Sequence, residues 1–156
     1  MEDVKSDEAA GRASCLSFVS RQIEPRPQRK LLRNENATVV LDGDWGVGIL
    51  GCMDAMERAI VKARRFGIGI GVVIHNNHFQ SAAPYCLRAV ENDMIGIAFS
   101  NTQSSMGYPG ARGRVIGNSP FGFGVPANGE FPIVFDSAMT TSAGKLSRWI
   151  KARPTR

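Results

Sequence analysis

Apolar and polar positions along the chain predict strands that alternate with helices from residue 37 onward. The β-branched run 37–41 predicts a strand that ends at the turn-prone Asp42-Gly43-Asp44. Apolar residues at steps of three and four predict a helix over 49–66, with Gly67 suited to cap its C-terminus. The apolar run 68–74 predicts a strand that is buried on both faces.

The second half of the chain predicts the same alternation. A helix is expected over 82–92, with Ser81 as its candidate N-cap. Residues 94–100 predict another buried strand, and further strands are expected at 121–125 and 132–135. Alternating strands and helices indicate an α/β fold in which helices pack against a sheet.

Changes in periodicity divide the chain into three parts. Residues 1–36 show little periodicity and contain Pro25-Arg26-Pro27, which blocks helix formation, so a poorly ordered lead-in is expected. Residues 37–145 are expected to form the central α/β domain. Residues 146–156 are expected to form a basic C-terminal tail.

The net charge of +5 lies at the two ends of the chain. Residues 1–33 hold seven Lys/Arg and five Asp/Glu, and residues 145–156 hold five Lys/Arg and no acid. The segment 34–144 holds seven basic and nine acidic residues. A nucleic-acid-binding domain is expected to carry its basic residues on the folded face, so we expect no nucleic-acid partner.

Other compositional features favour a cytoplasmic protein without a membrane segment. The three cysteines form no CxxC pair, which fits a reducing compartment. The first residues are acidic and lack the apolar region of a secretory signal. The longest strongly apolar stretch, 67–74, is far shorter than the roughly 18 residues that span a bilayer.

A literal G-x-G-x-x-G pattern occupies 46–51, directly after the first predicted strand. One interpretation is a dinucleotide site in which the helix N-terminus holds a pyrophosphate. The acidic Asp42 and Asp44 before the turn argue against it, as does the lack of an acid after the next strand. The other interpretation is a glycine-rich turn that lets helix and strand pack closely.

His75 and His78 follow the next predicted strand. The imidazole of His78 is a candidate general acid or base near neutral pH. The alternative is a polar loop whose side chains satisfy the turn backbone. The His-x-x-His spacing also suits two metal ligands, but no third ligand lies nearby in the sequence, so no metal site is predicted.

Polar residues after the later strands each have two interpretations. Thr102 either binds a ligand or belongs to a capped strand end, and Asn118 either binds a ligand or forms part of a turn. Asp136 either accepts hydrogen bonds from a ribose or caps the following helix. Lys145 either binds a carboxylate or is a solvated cation of the basic tail.

Several short motifs keep their order and spacing along the chain: Asp42-Gly43-Asp44, Asn77-His78-Phe79, Ile95-Gly96-Ile97, Asn101, Pro109-Gly110, Gly117-Asn118-Ser119-Pro120, Asp136 and Gly144-Lys145. Over roughly residues 24–151 this series resembles the malate/L-lactate dehydrogenase-like oxidoreductases. The resemblance implies a non-Rossmann α/β fold, usually a homodimer, that uses NAD or NADP. It also implies hydride transfer between nicotinamide and a small 2-hydroxy or 2-keto acid.

The same resemblance implies roles for individual residues. His78 would line the cofactor pocket and, as in some members, accept the proton. The implied cofactor contacts are His78, Thr102, Asp136, Ser137 and Ala138, and the implied substrate contacts are Asn118, Gly144 and Lys145.

Two departures from the family pattern change these expectations. Gln80 stands where the family motif has glycine, which matters if that position needs a positive φ. The early Ser-His-Gly motif of the family has no counterpart, and family members are longer. We therefore expect a partial fold, truncated at both ends, whose isolated chain is weakly active or inactive. The alternative is a non-catalytic fragment or association module.

Overall fold

The computed structural model describes residues 23–129 and 131–140, which form six strands and two helices. In chain order the elements are β1 (Lys30–Glu35), β2 (Thr38–Asp42), α1 (Gly48–Phe66), β3 (Ile70–Ile74), α2 (Ala83–Val90), β4 (Gly96–Phe99), β5 (Phe121–Val125) and β6 (Ile133–Ser137). The chain divides into two compact units, Met1–Gln80 and Ser81–Arg156, whereas the sequence predicted one central domain over 37–145. The described residues include no helix long and apolar enough to cross a membrane.

The first unit is a three-stranded sheet with α1 packed against one face. β1 and β2 form an antiparallel hairpin, and β2 pairs in parallel with β3, so the sheet order is β1-β2-β3. α1 is the crossover that a parallel pair requires. Val39 and Leu41 of β2 are almost fully buried, and α1 contributes Ala55 and Ile60 to the core.

The predicted helix over 49–66 is confirmed as α1, and the predicted C-terminal cap is confirmed with it. Gly67 has a φ of 78°, and its N–H donates to the carbonyl of Ala63 at 2.8 Å. Glycine adopts this left-handed backbone conformation at little energetic cost. The N–H of Gly67 also satisfies a carbonyl that would otherwise lack a partner at the end of the helix.

β1 lies inside the segment that the sequence predicted to be a poorly ordered lead-in. All six of its residues are exposed, so its side chains lack the alternation that marks a half-buried strand. Its order comes from backbone pairing with β2, which runs from Lys30 opposite Asp42 to Glu35 opposite Thr38 with a register shift between Leu31 and Arg33. The lead-in prediction was therefore wrong for 30–35. Residues 1–22 and the predicted tail 146–156 lie outside the described residues.

The second unit is an antiparallel sheet in the order β4-β5-β6, with α2 against one face. Tyr85, Cys86 and Ala89 of α2 are buried. On β5, Gly122 and Gly124 are buried, while the alternating phenylalanines point to the opposite face. That face also carries Ile97, Phe99 and Phe135, which lie in register with the phenylalanines.

Two strands predicted to be buried on both faces are edge strands in the structure. Among the residues that the structure describes, β3 and β4 each pair on one side only, and each keeps one face covered by a helix. The side chains of Ile70 and Ile74 on β3, and of Ile97 and Phe99 on β4, are exposed. The prediction of two buried faces was wrong, because an apolar run fixes the preference for burial but not what covers the second face.

Glycine sets the distance between helix and sheet in both units. An added Cβ on Gly69 would overlap the Ala59 carbonyl of α1, and one on Gly71 would come within 2.5 Å of the Ala55 carbonyl oxygen. In the second unit, a Cβ on Gly96 would lie 2.7 Å from the Cys86 carbonyl oxygen of α2. Contacts under 3.0 Å force the backbone to move, so each helix rests on a strip of glycine backbone.

We predict that Gly71→Ala lowers the free energy of unfolding by about 2–3 kcal/mol, because the new methyl group meets the rigid backbone of α1. Gly129→Ala is the matched control, since an added Cβ there has no atom within 4 Å. The control should change stability by no more than about 0.5 kcal/mol. Urea unfolding followed by circular dichroism measures both. Equal stability of the two variants would contradict the prediction.

Candidate functional site

The parallel strands β2 and β3 end at the same edge of the first sheet, where Asp42 lies opposite Ile74. Backbone hydrogen bonds join the two following loops. The N–H of Gly43 donates to the carbonyl of Ile74 at 2.8 Å, and the N–H of Trp45 donates to the carbonyl of His75 at 2.7 Å. The carboxyl ends of parallel strands are where ligands bind in open α/β sheets, so this edge is the candidate site of the first unit.

Asp42, His75 and Trp45 form a cluster at this edge. Nδ1 of His75 lies 3.2 Å from Oδ2 of Asp42, and the Trp45 ring stacks on the imidazole with centroids 5.5 Å apart. The N–H of Asp44 donates to Oδ1 of Asp42 at 2.9 Å. These two donors, the Asp44 N–H first, lower the pKa of the Asp42 carboxyl.

No catalytic role was predicted for this cluster from the sequence. The signal that was available is topological, because an acid and a histidine that follow two neighbouring parallel strands must meet at one edge. Trp45 carried no such signal. Its position over His75 depends on two consecutive residues with positive φ, Asp44 at 48° and Trp45 at 54°, and a hydrophobic pattern does not reveal such a turn.

His78 follows on the same loop and is exposed. Its Nδ1 accepts a hydrogen bond from the N–H of Gln80 at 2.8 Å. A neutral imidazole that accepts at Nδ1 carries its proton on Nε2, so the network assigns His78 an outward Nε2–H donor. This geometry suits hydrogen-bond donation to a ligand oxygen.

Gln80 occupies the position where the family motif has glycine, and its φ is 68°. The backbone at Gln80 is therefore left-handed, which is the conformation in which the absence of glycine was expected to matter. A side chain other than glycine in this region costs about 1–2 kcal/mol. The turn forms nevertheless, and its N–H is the donor that holds the ring of His78.

The structure supports the packing interpretation of the G-x-G-x-x-G segment. A Cβ on Gly48 would overlap the backbone of Asn77 and His78, and one on Gly46 would lie 2.6 Å from the Pro27 ring. The Asn76 amide donates to the Gly48 carbonyl at 3.1 Å. The glycines at 46 and 48 thus let the turn pack closely against Pro27 and the 75–78 loop.

The second unit gathers a second set of polar residues. Phe99 at the end of β4, Phe121 at the start of β5 and Ser137 at the end of β6 are in register, so three polar connections leave the sheet at one end. The N–H of Ser119 donates to Oγ1 of Thr102 at 3.3 Å. The N–H of Met139 donates to the carbonyl of Asn118 at 2.8 Å.

The connections that carry several of the sequence-predicted contacts therefore meet. Thr102 lies after β4, Asn118 lies before β5, and Ser137 and Ala138 lie at the end of β6 and just after it. His78 belongs to the other unit. The predicted substrate contacts Gly144 and Lys145 lie outside the described residues.

Asp136 caps a helix, although not the one that the sequence suggested. Its Oδ2 accepts the N–H of Ala83, at the first residue of α2, at 2.9 Å, and it also accepts the hydroxyl of Ser81. Ser81 is therefore not the N-cap; that position is Ala82, which offers no side-chain cap. A carboxylate at a helix N-terminus satisfies orphan N–H groups and complements the helix dipole.

The donor set of the second unit fits a nucleotide that carries hydroxyl and amide groups. Thr102 and Ser137 are exposed; the Thr102 hydroxyl accepts the Ser119 N–H and keeps its own proton for donation, whereas the Ser137 hydroxyl donates to the Ala138 carbonyl at 3.1 Å and keeps its acceptor lone pairs. Among the described residues, Oδ1 of Asp136 has no hydrogen-bond partner, while Oδ2 is engaged in the cap.

Within the residues that the structure describes, no group of three or more His, Cys, Asp or Glu side chains is arranged to hold a metal ion. Burial raises the pKa of the free thiols Cys52 and Cys86, which disfavours their nucleophilic form.

Comparison with known proteins identifies the class. The family model for malate/L-lactate dehydrogenase matches residues 14–152, and the chain belongs to that family. It is 35% identical over 125 residues to an L-sulfolactate dehydrogenase of Methanocaldococcus jannaschii, which covers 80% of this chain and 36% of that protein. It is 34% identical over 151 residues to a malate dehydrogenase of Pyrococcus abyssi, covering 94% of this chain and 41% of that protein.

Solved structures give the same fold. The malate dehydrogenase of Entamoeba histolytica matches with a TM-score of 0.80 and 31% identity over 86% of this chain and 38% of that chain. The sulfolactate dehydrogenase of Methanocaldococcus jannaschii matches with a TM-score of 0.79 and 32% identity over 86% of this chain and 39% of that chain. The predicted α/β fold of the malate/L-lactate dehydrogenase type is confirmed. The chain spans about two fifths of the length of these relatives.

We predict that Gln80→Gly raises the free energy of unfolding by about 0.5–1 kcal/mol. The substitution relieves the strain of the left-handed backbone, and this gain exceeds the cost of the greater conformational freedom that glycine gives the unfolded chain. Gln103→Gly is the control, since Gln103 is exposed and is not among the residues with positive φ. The control should lower stability through the added freedom of the unfolded chain. Urea unfolding compares the two. A loss of stability in Gln80→Gly equal to that in Gln103→Gly would show that φ at 80 carries no strain.

We predict that Asp136→Ala lowers the free energy of unfolding by about 1–2 kcal/mol, because α2 loses the acceptor for its first N–H. Asp136→Asn keeps an acceptor oxygen in the same place and should lose much less. Thermal unfolding by circular dichroism distinguishes the two variants. If both lose the same stability, the negative charge rather than the acceptor geometry supports the helix.

Proposed function

We propose that the chain contributes to an NAD(P)-dependent oxidoreductase that moves a hydride between nicotinamide and a small 2-hydroxy or 2-keto acid. Membership of the malate/L-lactate dehydrogenase family supports this class of reaction. The relatives include a (2R)-3-sulfolactate dehydrogenase (NADP(+)) of Chromohalobacter salexigens. The cofactor that we propose for this chain is therefore NADP or its close analogue NAD.

One observation carries the proposal. The end of the second sheet brings together the connections that hold Thr102, Asn118 and Asp136–Ala138, which sequence resemblance had assigned to cofactor and substrate. In the proposed complex Thr102, Asp136, Ser137 and Ala138 hold the cofactor, and Asn118 holds the substrate carboxylate together with Gly144 and Lys145. The nicotinamide ring, when bound, supplies the hydride acceptor or donor.

His78 is proposed to face the oxygen of the reacting carbon and to line the cofactor pocket. We propose it as the acid/base group: its assigned Nε2–H donates to the carbonyl oxygen and passes its proton to that oxygen as the hydride reaches the carbon, and the proton returns in the oxidation. We further propose a cytoplasmic location, for which the free thiols Cys52 and Cys86 are suited, and a homodimer.

A second candidate function is a non-catalytic association module. The observation in its favour is the apolar outer face of the second sheet, where the side chain of Phe99 is 75% exposed and that of Phe135 is 45% exposed. Exposed apolar surface of this kind marks an interaction site. Such a module would keep this face and would bind no nicotinamide nucleotide.

Titration of the chain with NADH and with NADPH, followed by nucleotide fluorescence, distinguishes the two candidates. We expect saturable binding of at least one nucleotide. Asp136→Asn should weaken it about tenfold or more, because a hydrogen bond to a charged acceptor is replaced by a neutral one. Asp93→Asn removes the same charge from an exposed turn after α2 and should leave the affinity unchanged. Absence of saturable binding would contradict the proposed function and favour the association module.

A further inference from the structure

The turn between β5 and β6 contains Asn128-Gly129, the one place in the sequence where an asparagine is followed directly by glycine. The carbon Cγ of an asparagine side chain is open to attack by the backbone nitrogen of the next residue, which closes a five-membered ring. Glycine opposes this ring closure least, because it has no Cβ and its backbone adopts many conformations. The residue types at 128 and 129 therefore favour this reaction.

The surroundings of this dipeptide leave both reacting groups unrestrained. The pairing of β5 with β6 ends at Val125 opposite Ile133, and Asn128 and Gly129 lie beyond it. Both residues are exposed, and a Cβ added to Gly129 would have no atom within 4 Å. Among the residues that the structure describes, neither the Asn128 side chain nor the Gly129 N–H forms a hydrogen bond. The described fold thus does not oppose the approach of this nitrogen to Cγ.

Asn118-Ser119, in which the second side chain is also small, is held by the fold. The N–H of Ser119, whose nitrogen would have to attack, donates to Oγ1 of Thr102 at 3.3 Å. The carbonyl of Asn118 accepts the N–H of Met139 at 2.8 Å. Ring closure at Asn118 would have to break or distort these bonds, so this asparagine is expected to be protected in the folded chain.

Other candidate positions are restrained in a similar way. The amide nitrogens of Asn76, Asn77 and Asn92 each donate to a backbone carbonyl, which fixes the orientation of the side chain. At Asp42-Gly43 an aspartate could close the same ring, but the N–H of Gly43 donates to a carbonyl of β3 at 2.8 Å. The structure therefore separates Asn128 from these restrained positions.

We propose that Asn128 is a site of spontaneous deamidation through a succinimide formed with Gly129. The nitrogen of Gly129 loses its proton to solvent and forms a bond to Cγ of Asn128, while the bond from Cγ to Nδ2 breaks and Nδ2 leaves as ammonia. Water then opens the ring at either carbonyl and yields aspartate or isoaspartate, with no change of oxidation state. The net charge of +5 falls by one. This chemistry needs no nucleotide and no substrate.

Peptide mapping by mass spectrometry of the full chain, after incubation in neutral buffer, tests the site. Asn118 and Asn128 fall in one tryptic peptide, because no Lys or Arg lies between Arg114 and Lys145. We expect residue 128 to gain the mass of deamidation, about one dalton, at least tenfold faster than residue 118, a rough ratio that reflects the freedom of glycine. Enzymatic methylation should detect isoaspartate at 128, and Asn128→Gln should remove that signal.

The same measurement on the chain unfolded in guanidinium chloride separates residue type from fold. Unfolding releases the hydrogen bond of the Ser119 N–H, so the difference between Asn118 and Asn128 should narrow. Retention of the Asn128 amide in the folded chain, while the unfolded chain loses it, would overturn the proposal, because the fold would then protect this site.

A substitution at the attacking residue tests the ring-closure step. Gly129→Ala should slow the loss of the Asn128 amide about tenfold or more, because the added Cβ restricts the backbone, and it has space for that Cβ in the folded chain. Gly107→Ala is the matched control: its new Cβ would also make no contact closer than 3.4 Å, and it should leave the rate at Asn128 unchanged. An unchanged rate in Gly129→Ala would indicate direct hydrolysis of the amide and would overturn the succinimide step.

Discussion

The close approach of each helix to its sheet is the constraint on which the rest of the structure depends. α1 rests on Gly71 of β3 and on Gly69 just before that strand, and α2 rests on Gly96 and the glycines of β5. Because no Cβ separates the layers, helix carbonyls lie almost against strand backbone, and small residues such as Ala55 and Ala59 fill the interface. Dispersion contacts at this distance are dense, and they leave little room for the helix to shift.

This constraint also determines where polar groups gather. With α1 held against β2 and β3, the turn at 46–48 is pressed onto the loop at 75–78, and Gly48 leaves just enough space for its backbone. Asp42 and His75 then meet, and Trp45 stacks over the imidazole. In the second unit, Asp136 joins the end of β6 to the start of α2. Each candidate site is thus built on the same contacts that hold a helix to its sheet.

Local patterns in the sequence predicted much of the fold. The helical stripe of α1, its glycine cap and the apolar runs of β2, β5 and β6 are visible in the spacing of residues near one another in the chain, which periodicity reports. β1 was missed because its order comes from pairing with β2 rather than from its own side chains. The burial of β3 and β4 was misjudged because a strand's apolar content does not state its place in the sheet.

By itself the sequence determined the alternation of elements, the family resemblance, and the residues at which chemistry was to be sought, since these follow from residue identity and spacing. Only the tertiary structure decided which of those residues meet and what each polar atom does. It committed one oxygen of Asp136 to a helix cap, paired His75 with Asp42 and His78 with the Gln80 N–H, and gave Gln80 a left-handed backbone. The physical reason is that a hydrogen bond has direction, and direction depends on neighbours that lie far apart in the chain.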